Sequence, residues 1–321
     1  MRSGAARGHV GHFHETAFYG SDEEFVSVVE PFVSDGVGAG EPTVVSCSDS
    51  NEKLVREALG DVSGVTFLPS ADEYVRPTST IKRFRDVFAG FVDTGARQIR
   101  VIGDVPHPGT GTPWDWWARY EATINRAFEE FPLWGLCPYD TRTTPVEVLA
   151  DVERTHPMIA TPDGAHIPNT RFQRPEEFFA QRGRPRPDVL ELRSPSLLLV
   201  DPTPAAVRRA VRDAAVATTV SEAEVDDLVF AASEAVTNGL THGRTPVRFR
   251  LWTDQDHLVL TVTDQGGGPA DPMVGLVPTT QTATAGLGLW LTYQTCSYVT
   301  LDRHEDGFTV RVVAGPPRLA E

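Results

Sequence analysis

Short apolar runs punctuate the first half of the chain at 43–46, 65–68, 98–102 and 133–136. Between them, apolar residues return every three or four positions over 22–34, 51–59, 79–94 and 114–131. Strand-like runs alternating with helix-like stretches predict a parallel sheet covered by helices. The stretch 161–195 is different. It is rich in Pro and Arg, and proline blocks both helix and sheet hydrogen bonding, so it reads as a linker with one short helix at 176–180. Beyond it the pattern predicts a strand at 197–200 and a helix at 205–217. Ser221 caps the next helix, with Glu224 three residues on completing a capping box. Val225, Leu228, Val229, Ala232, Ala235, Val236 and Leu240 recur there at helical spacing. Strands follow at 247–252, 258–263, 297–301 and 308–313, with a helix after Gly286. The expected division is one domain over 1–180, a linker over 181–195 and a second domain over 196–321.

Composition narrows the function classes. A chain of 321 residues fits two domains better than one. Its net charge of −15 would repel phosphates, so nucleic acid is not expected as a direct partner. Cys47, Cys137 and Cys296 are far apart and odd in number, which points to reduced thiols and a cytoplasmic setting. No apolar run is long enough to span a membrane, and the first ten residues do not read as a signal peptide.

Three segments of the second half carry chemistry together. Glu234 and Asn238 are four residues apart and share one helix face. Asp264 ends an alternating strand and leads into Gly266, Gly267 and Gly268. Gly286, Leu287 and Gly288 open another helix, whose first backbone amides suit an anion such as a phosphate. An acid and an amide on one helix, an acid before glycines, then glycines at a helix start: in that order they read as a nucleotide pocket.

The three segments resemble the N, G1 and G2 boxes of the GHKL ATPase superfamily, and the wording from Ala232 to Gly243 is most similar to the RsbW-type anti-sigma-factor serine kinases. The resemblance implies a Bergerat-type α/β sandwich with a mixed, mainly antiparallel sheet. It implies ATP and Mg²⁺ as cofactors. Asn238 would hold the metal, Glu234 would act as general base, and the Asp264 carboxylate would accept from the adenine amine. Gly266, Gly268, Gly286, Leu287 and Gly288 would approach the nucleotide. The implied partner is a sigma factor or an anti-anti-sigma protein of the STAS type, with phosphorylation of a Ser or Thr as one output and a homodimer as one assembly. Two other readings stay open: a non-catalytic module that captures a partner, and a histidine-kinase-like protein without a phosphoacceptor hairpin. Two positions depart from the serine-kinase pattern. No Arg or Lys stands between Gly268 and Leu301, where Thr284 and Ala285 precede the G2 glycines, and Phe308 separates Gly307 from Thr309.

In the first half, Gly36 to Thr43 lacks a phosphate loop's Gly-Lys-Ser/Thr ending and follows a helix, so it reads as a helix end and turn. The phrases His14 to Tyr19, Val29 to Val33, Tyr120 to Asn125, Leu136 to Asp140 and Arg154 to Pro157, in that order, resemble the MEDS sensory domain. That resemblance implies a RecA-like parallel αβα core without a working phosphate loop, and a small organic ligand. Cys137, ending a strand, is expected at the sheet's carboxyl edge, with His14, Glu121, Asn125 and His156 as further ligand-site candidates. A zinc site from Cys137, His14 and His156 has no motif spacing behind it.

Overall fold

A computed structural model describes residues 2–110, 113–277 and 286–320, and the chain divides into two compact units, Met1–Gln181 and Arg182–Glu321. The far part of the segment between Gly268 and Gly286, including Thr284 and Ala285, lies outside the described residues.

The first unit runs β1 (Phe13–Tyr19), α1 (Asp22–Gly38), β2 (Thr43–Ser46), α2 (Asp49–Leu59), β3 (Val65–Phe67), α3 (Ser70–Glu73), α4 (Pro77–Asp93) and β4 (Ile99–Gly103). It continues through α5 (Trp114–Ala127), β5 (Leu133–Asp140), α6 (Val146–Thr155), β6 (Met158–Ala160), β7 (His166–Pro168) and α7 (Pro175–Gln181). The sheet order is β3-β2-β4-β5-β1-β6-β7, parallel throughout except for the antiparallel β6–β7 pair. Ser21 and Ser48 cap α1 and α2 by accepting from backbone amides three residues on. One core cluster packs Phe25, Val29, Phe32 and Val33 of α1 against Phe13, Val45, Ile102, Trp134 and Leu136 of the sheet. Buried Arg100 is held by Glu41 at 2.8 Å and by the Phe32 carbonyl at 2.6 Å.

One strand of this unit was not foreseen from sequence, and one sequence expectation changes. β1, a central strand, has no clean apolar run, because His14, Glu15 and Thr16 are buried within it. Cys137 does not end a strand at the sheet's edge. β5 continues to Asp140, so the thiol sits in mid-strand and is buried.

The second unit runs β8 (Leu197–Val200), α8 (Pro204–Ala215), α9 (Glu222–Thr241), β9 (Arg248–Asp254), β10 (His257–Asp264), α10 (Leu287–Thr295), β11 (Tyr298–His304) and β12 (Gly307–Ala314). Its sheet order is β11-β12-β10-β9-β8. The expected mainly antiparallel sheet is present, and each of these pairings is antiparallel. Both halves of the Ser221/Glu224 capping box form, and α9 buries Val225, Leu228, Val229, Ala232, Ala235 and Val236 against β10 and β12. Leu240, expected on the same face, is 40% exposed near the helix end.

The Pro/Arg-rich stretch is not a free tether. Residues 161–181 supply β7 and α7 to the first unit. Residues 182–195 belong to the second unit, where Asp188 caps a 3-10 turn over Val189–Leu192 and bridges to Leu319. Asp188 Oδ2 meets His257 Nε2 at 2.9 Å, and both side chains are fully buried. The Arg184 guanidinium binds Asp302, Arg311 binds Glu191, and the Trp252 indole donates to the Arg193 carbonyl. Prolines stop regular structure there, but charge and capping fix the irregular path. No helix among the described residues is long and apolar enough to cross a membrane.

Candidate functional site

In the second unit, a cavity of about 390 Å³ opens between α9, the end of β10, the start of α10 and β12. Glu234 and Asn238 line it one turn apart on α9, with His242 at that helix's C-cap. Asn238 is exposed and Glu234 partly so. Among the described residues neither side chain has a hydrogen-bond partner, so both are available to a ligand.

Asp264 ends β10 against the cavity and is 7% exposed. Its Oδ1 accepts from the Gly266 amide at 2.6 Å and the Arg244 amide at 3.2 Å. That pins the carboxylate and leaves Oδ2 free to accept from a bound donor. The backbone crowds it closely. A Cβ on Gly243 would lie 2.4 Å from the Asp264 carboxyl carbon, and one on Gly307 would lie 1.9 Å from its carbonyl oxygen. The first turn of α10 comes equally near Glu234, where a Cβ on Gly288 would sit 2.0 Å from Oε2. Gly286, with φ +88°, is the helix N-cap.

Of the residues expected here, Glu234, Asn238, Asp264, Gly268, Gly286 and Gly288 line the one cavity. Gly266 acts from behind, through its amide on Asp264. Leu287 is 48% exposed and absent from the lining. Gly239, Gly243 and Thr292 also belong to the site or its support and were not singled out from sequence, while Phe308, read there only as a departure from the family pattern, lines the cavity. Gly243 stood within the quoted wording around the first box, but only the fold shows what it faces. Phe308 pairs with Asp264 across the ladder and faces the cavity, under Gly268. Strand alternation then sends Thr309 to the opposite face, where its hydroxyl meets Thr263 at 2.9 Å and His304 at 3.0 Å. Among the described residues the lining contains no Lys or Arg. A pinned carboxylate with a free oxygen beside an aromatic wall, facing an amide and a second carboxylate, fits an adenine nucleotide in size and polarity.

The first unit gathers a second constellation. His14 comes from β1, Glu121 and Asn125 from α5, Cys137 from β5, and His156 from the residue after α6. The five residues proposed for a sensory site therefore converge, although the chain scatters them. His14 Nδ1 lies 3.0 Å from Asn125 Oδ1, and His14 Nε2 lies 3.5 Å from Cys137 Sγ. Glu121 Oε2 faces His14 Nε2 at 3.7 Å and His156 Nε2 at 3.5 Å. The Tyr139 hydroxyl donates to Glu121 Oε1. Burial pushes the Glu121 carboxyl up to about 8, against the Tyr139 hydrogen bond. Burial also lowers His14 to about 4 and lowers His156, and it raises the Cys137 thiol, helped by Glu121. A cavity of about 30 Å³ lined by His14, Cys137, Tyr74, Phe84 and Tyr120 adjoins the cluster.

Comparison with known proteins gives each unit a family. Residues 13–157 match the family described as MEDS, the methanogen/methylotroph, DcmR sensory domain. Residues 200–314 match the histidine kinase-like ATPase domain. The chain is thus a MEDS sensory domain followed by a histidine kinase-like, nucleotide-binding ATPase domain. No curated protein matches it. Among solved structures, the RsbU and RsbW domains of a Mycobacterium tuberculosis protein align over 39% of this chain and 34% of that one, at 15% identity and a TM-score of 0.27. The histidine kinase domain of the E. coli osmosensor EnvZ aligns over 40% of this chain and 94% of that one, at 16% identity and a TM-score of 0.24.

Proposed function

We propose that the chain is a ligand-responsive switch whose ATPase-type unit binds ATP and acts on a partner protein of the sigma-factor antagonist type. The supporting observation is that Glu234, Asn238 and Asp264 line one cavity, with glycine backbone tight against both carboxylates. Asp264 Oδ2 would accept from the adenine 6-amine, where guanine presents a carbonyl oxygen, so ATP is preferred to GTP. The Asn238 amide oxygen would be the protein ligand of Mg²⁺, which favours hard oxygen donors. Bound magnesium supplies charge neutralisation among the phosphate oxygens. Glu234 would take the proton from a partner's Ser or Thr hydroxyl. The assignment to anti-sigma output rests on the wording of residues 232–243. A small organic molecule sensed by the first unit would bias this output.

A second reading is favoured by two observations: the described lining lacks any cation, and Thr309 faces away from the cavity. In that reading the nucleotide stabilises a partner-capturing conformation and no phosphate is transferred.

ATP with Mg²⁺ is expected to raise a thermal transition of the full chain. A ligand at 100 times its Kd adds about 2.7 kcal/mol to the state that binds it. Asp264→Ala is expected to lose the shift, and GTP to produce little. A wild-type chain indifferent to millimolar MgATP would end the nucleotide-switch reading.

A further inference from the structure

We propose that the first unit holds one divalent transition metal ion of the zinc class, bound by His14 Nε2, Glu121 Oε2, Cys137 Sγ and His156 Nε2. One donor atom from each of these four residues lies within 4.8 Å of the others, and all four residues are buried. A tetrahedral zinc with bonds of about 2.0–2.3 Å places its donors roughly 3.3–3.8 Å apart. The cluster shows 3.5 Å from Cys137 Sγ to His14 Nε2, 3.7 Å from His14 Nε2 to Glu121 Oε2, and 3.5 Å from His156 Nε2 to Glu121 Oε2. The two carboxylate edges are too long for good hydrogen bonds and suit donors arranged around a shared ion.

Two of the four donors are left unsatisfied by the protein's own hydrogen bonding. Glu121 Oε2 and His156 Nε2 are buried and make no hydrogen bond among the described residues. Leaving such an atom unsatisfied typically costs about 1–3 kcal/mol, and native interiors seldom do so without a reason.

The surrounding groups orient the donors. Asn125 Nδ2 donates to the carbonyls of Glu121, Ala122 and Thr155, so its Oδ1 must accept from His14 Nδ1. His156 Nδ1 faces the Val152 carbonyl at 2.9 Å and must carry a proton as well. Both imidazoles therefore turn an unprotonated Nε2 toward the centre. Tyr139 occupies Glu121 Oε1 and leaves Oε2 to face inward. Outer partners of this kind fix the tautomer and direction of metal ligands.

Charge and ligand softness identify the ion. A thiolate and a carboxylate neutralise a divalent cation, and the two imidazoles add no charge, so a buried neutral centre results. A mixed sulfur, nitrogen and oxygen set in tetrahedral array suits zinc and, experimentally, cobalt(II). Magnesium and calcium would not choose a thiolate.

The test uses the full chain. Produced with zinc in the medium and dialysed, it is expected to retain about one zinc per chain by elemental analysis. Unfolding with a chelator and refolding with cobalt(II) is expected to give tetrahedral ligand-field bands and a thiolate-to-cobalt charge-transfer band. Cys137→Ser should lose the charge-transfer band, and Asn125→Ala should weaken metal retention about 10- to 100-fold. Should the variants fail to fold, the wild-type spectrum still decides. No stoichiometric metal, or cobalt bound without thiolate absorption, would overturn the proposal. Neither result depends on the nucleotide site.

Discussion

If the ATPase-type unit transfers phosphate as proposed, replacing Glu234 by glutamine is expected to abolish most of that transfer while leaving ATP binding in place. The amide keeps the size of the carboxylate and its place on α9, but it cannot take a proton. Loss of a positioned general base typically lowers the rate about 10²- to 10⁴-fold. The side chain has no hydrogen-bond partner among the described residues, so the exchange leaves no internal contact unmet. Gly288 approaches within 2.0 Å of Oε2 if given a Cβ, so the α10 backbone already restricts where the carboxylate can swing. The measurement is transfer of labelled phosphate from ATP to candidate antagonist proteins, with nucleotide affinity followed separately. A variant as active as wild type would remove Glu234 from the base role. A wild-type chain that binds ATP and captures a partner, yet transfers nothing, would select the capture reading.

Asp188→Ala is expected to destabilise the second unit by about 3–5 kcal/mol, the usual consequence of removing one partner of a buried pair. Its carboxylate accepts from His257 Nε2 at 2.9 Å, from the Leu190 amide at 2.9 Å and from the Arg318 amide at 3.2 Å. Without it, His257 stays fully buried against an empty space, and two backbone donors lose their acceptor. Burial alone would raise the Asp188 carboxyl, but the His257 contact and the backbone donors outweigh it and lower it below the ordinary range. A lowered carboxyl stabilises the fold above its unfolded value of about 4 and ceases to do so as pH falls through the lower folded value. Urea unfolding of the full chain, repeated at falling pH, measures both effects. A loss under about 1 kcal/mol would mean that the pair is worth no more than an exposed one. His257→Ala and the double variant complete a cycle that isolates the coupling.

Much of the architecture was legible because period and position agree. The strand at 197–200 appears at its expected limits, and the capping box at Ser221 forms as read. The nucleotide cavity was legible because short-range spacing carries it: Glu234 and Asn238 need only a helix to meet. β1 was not legible as a strand, since its buried positions hold His14, Glu15 and Thr16. These polar side chains are accommodated by partners more than a hundred residues away, such as the Cys137 carbonyl for Thr16 and the Trp134 indole for Glu15. The residues that carry the chemistry thus erase the apolar pattern that would reveal their strand. Segment 182–195 misled for the converse reason. Its composition describes a linker, while its stability comes from Asp188, Arg184 and Glu191 pairing with residues of the sheet. The four-donor cluster has no motif, because α5, β1, β5 and the end of α6 each contribute one donor.

The placement of β1 bears on how the chain is made. Thr16 waits for Cys137, 121 residues further on, before its strand gains its principal neighbour. At about 5–20 residues per second, a ribosome takes roughly 6–24 s to cover that interval. During it, the segment that ends at the centre of the sheet has no strand to pair with and is a natural client for chaperones. β2, β3 and β4 can pair earlier, since they stand together in the chain and form one flank of the sheet. His156 emerges last of the cluster, just ahead of β6, the strand that covers the other edge of β1. A ribosome stalled before residue 156 would therefore hold a chain whose β1 can already pair with β5, while the β6 edge and the fourth donor of the cluster are still missing.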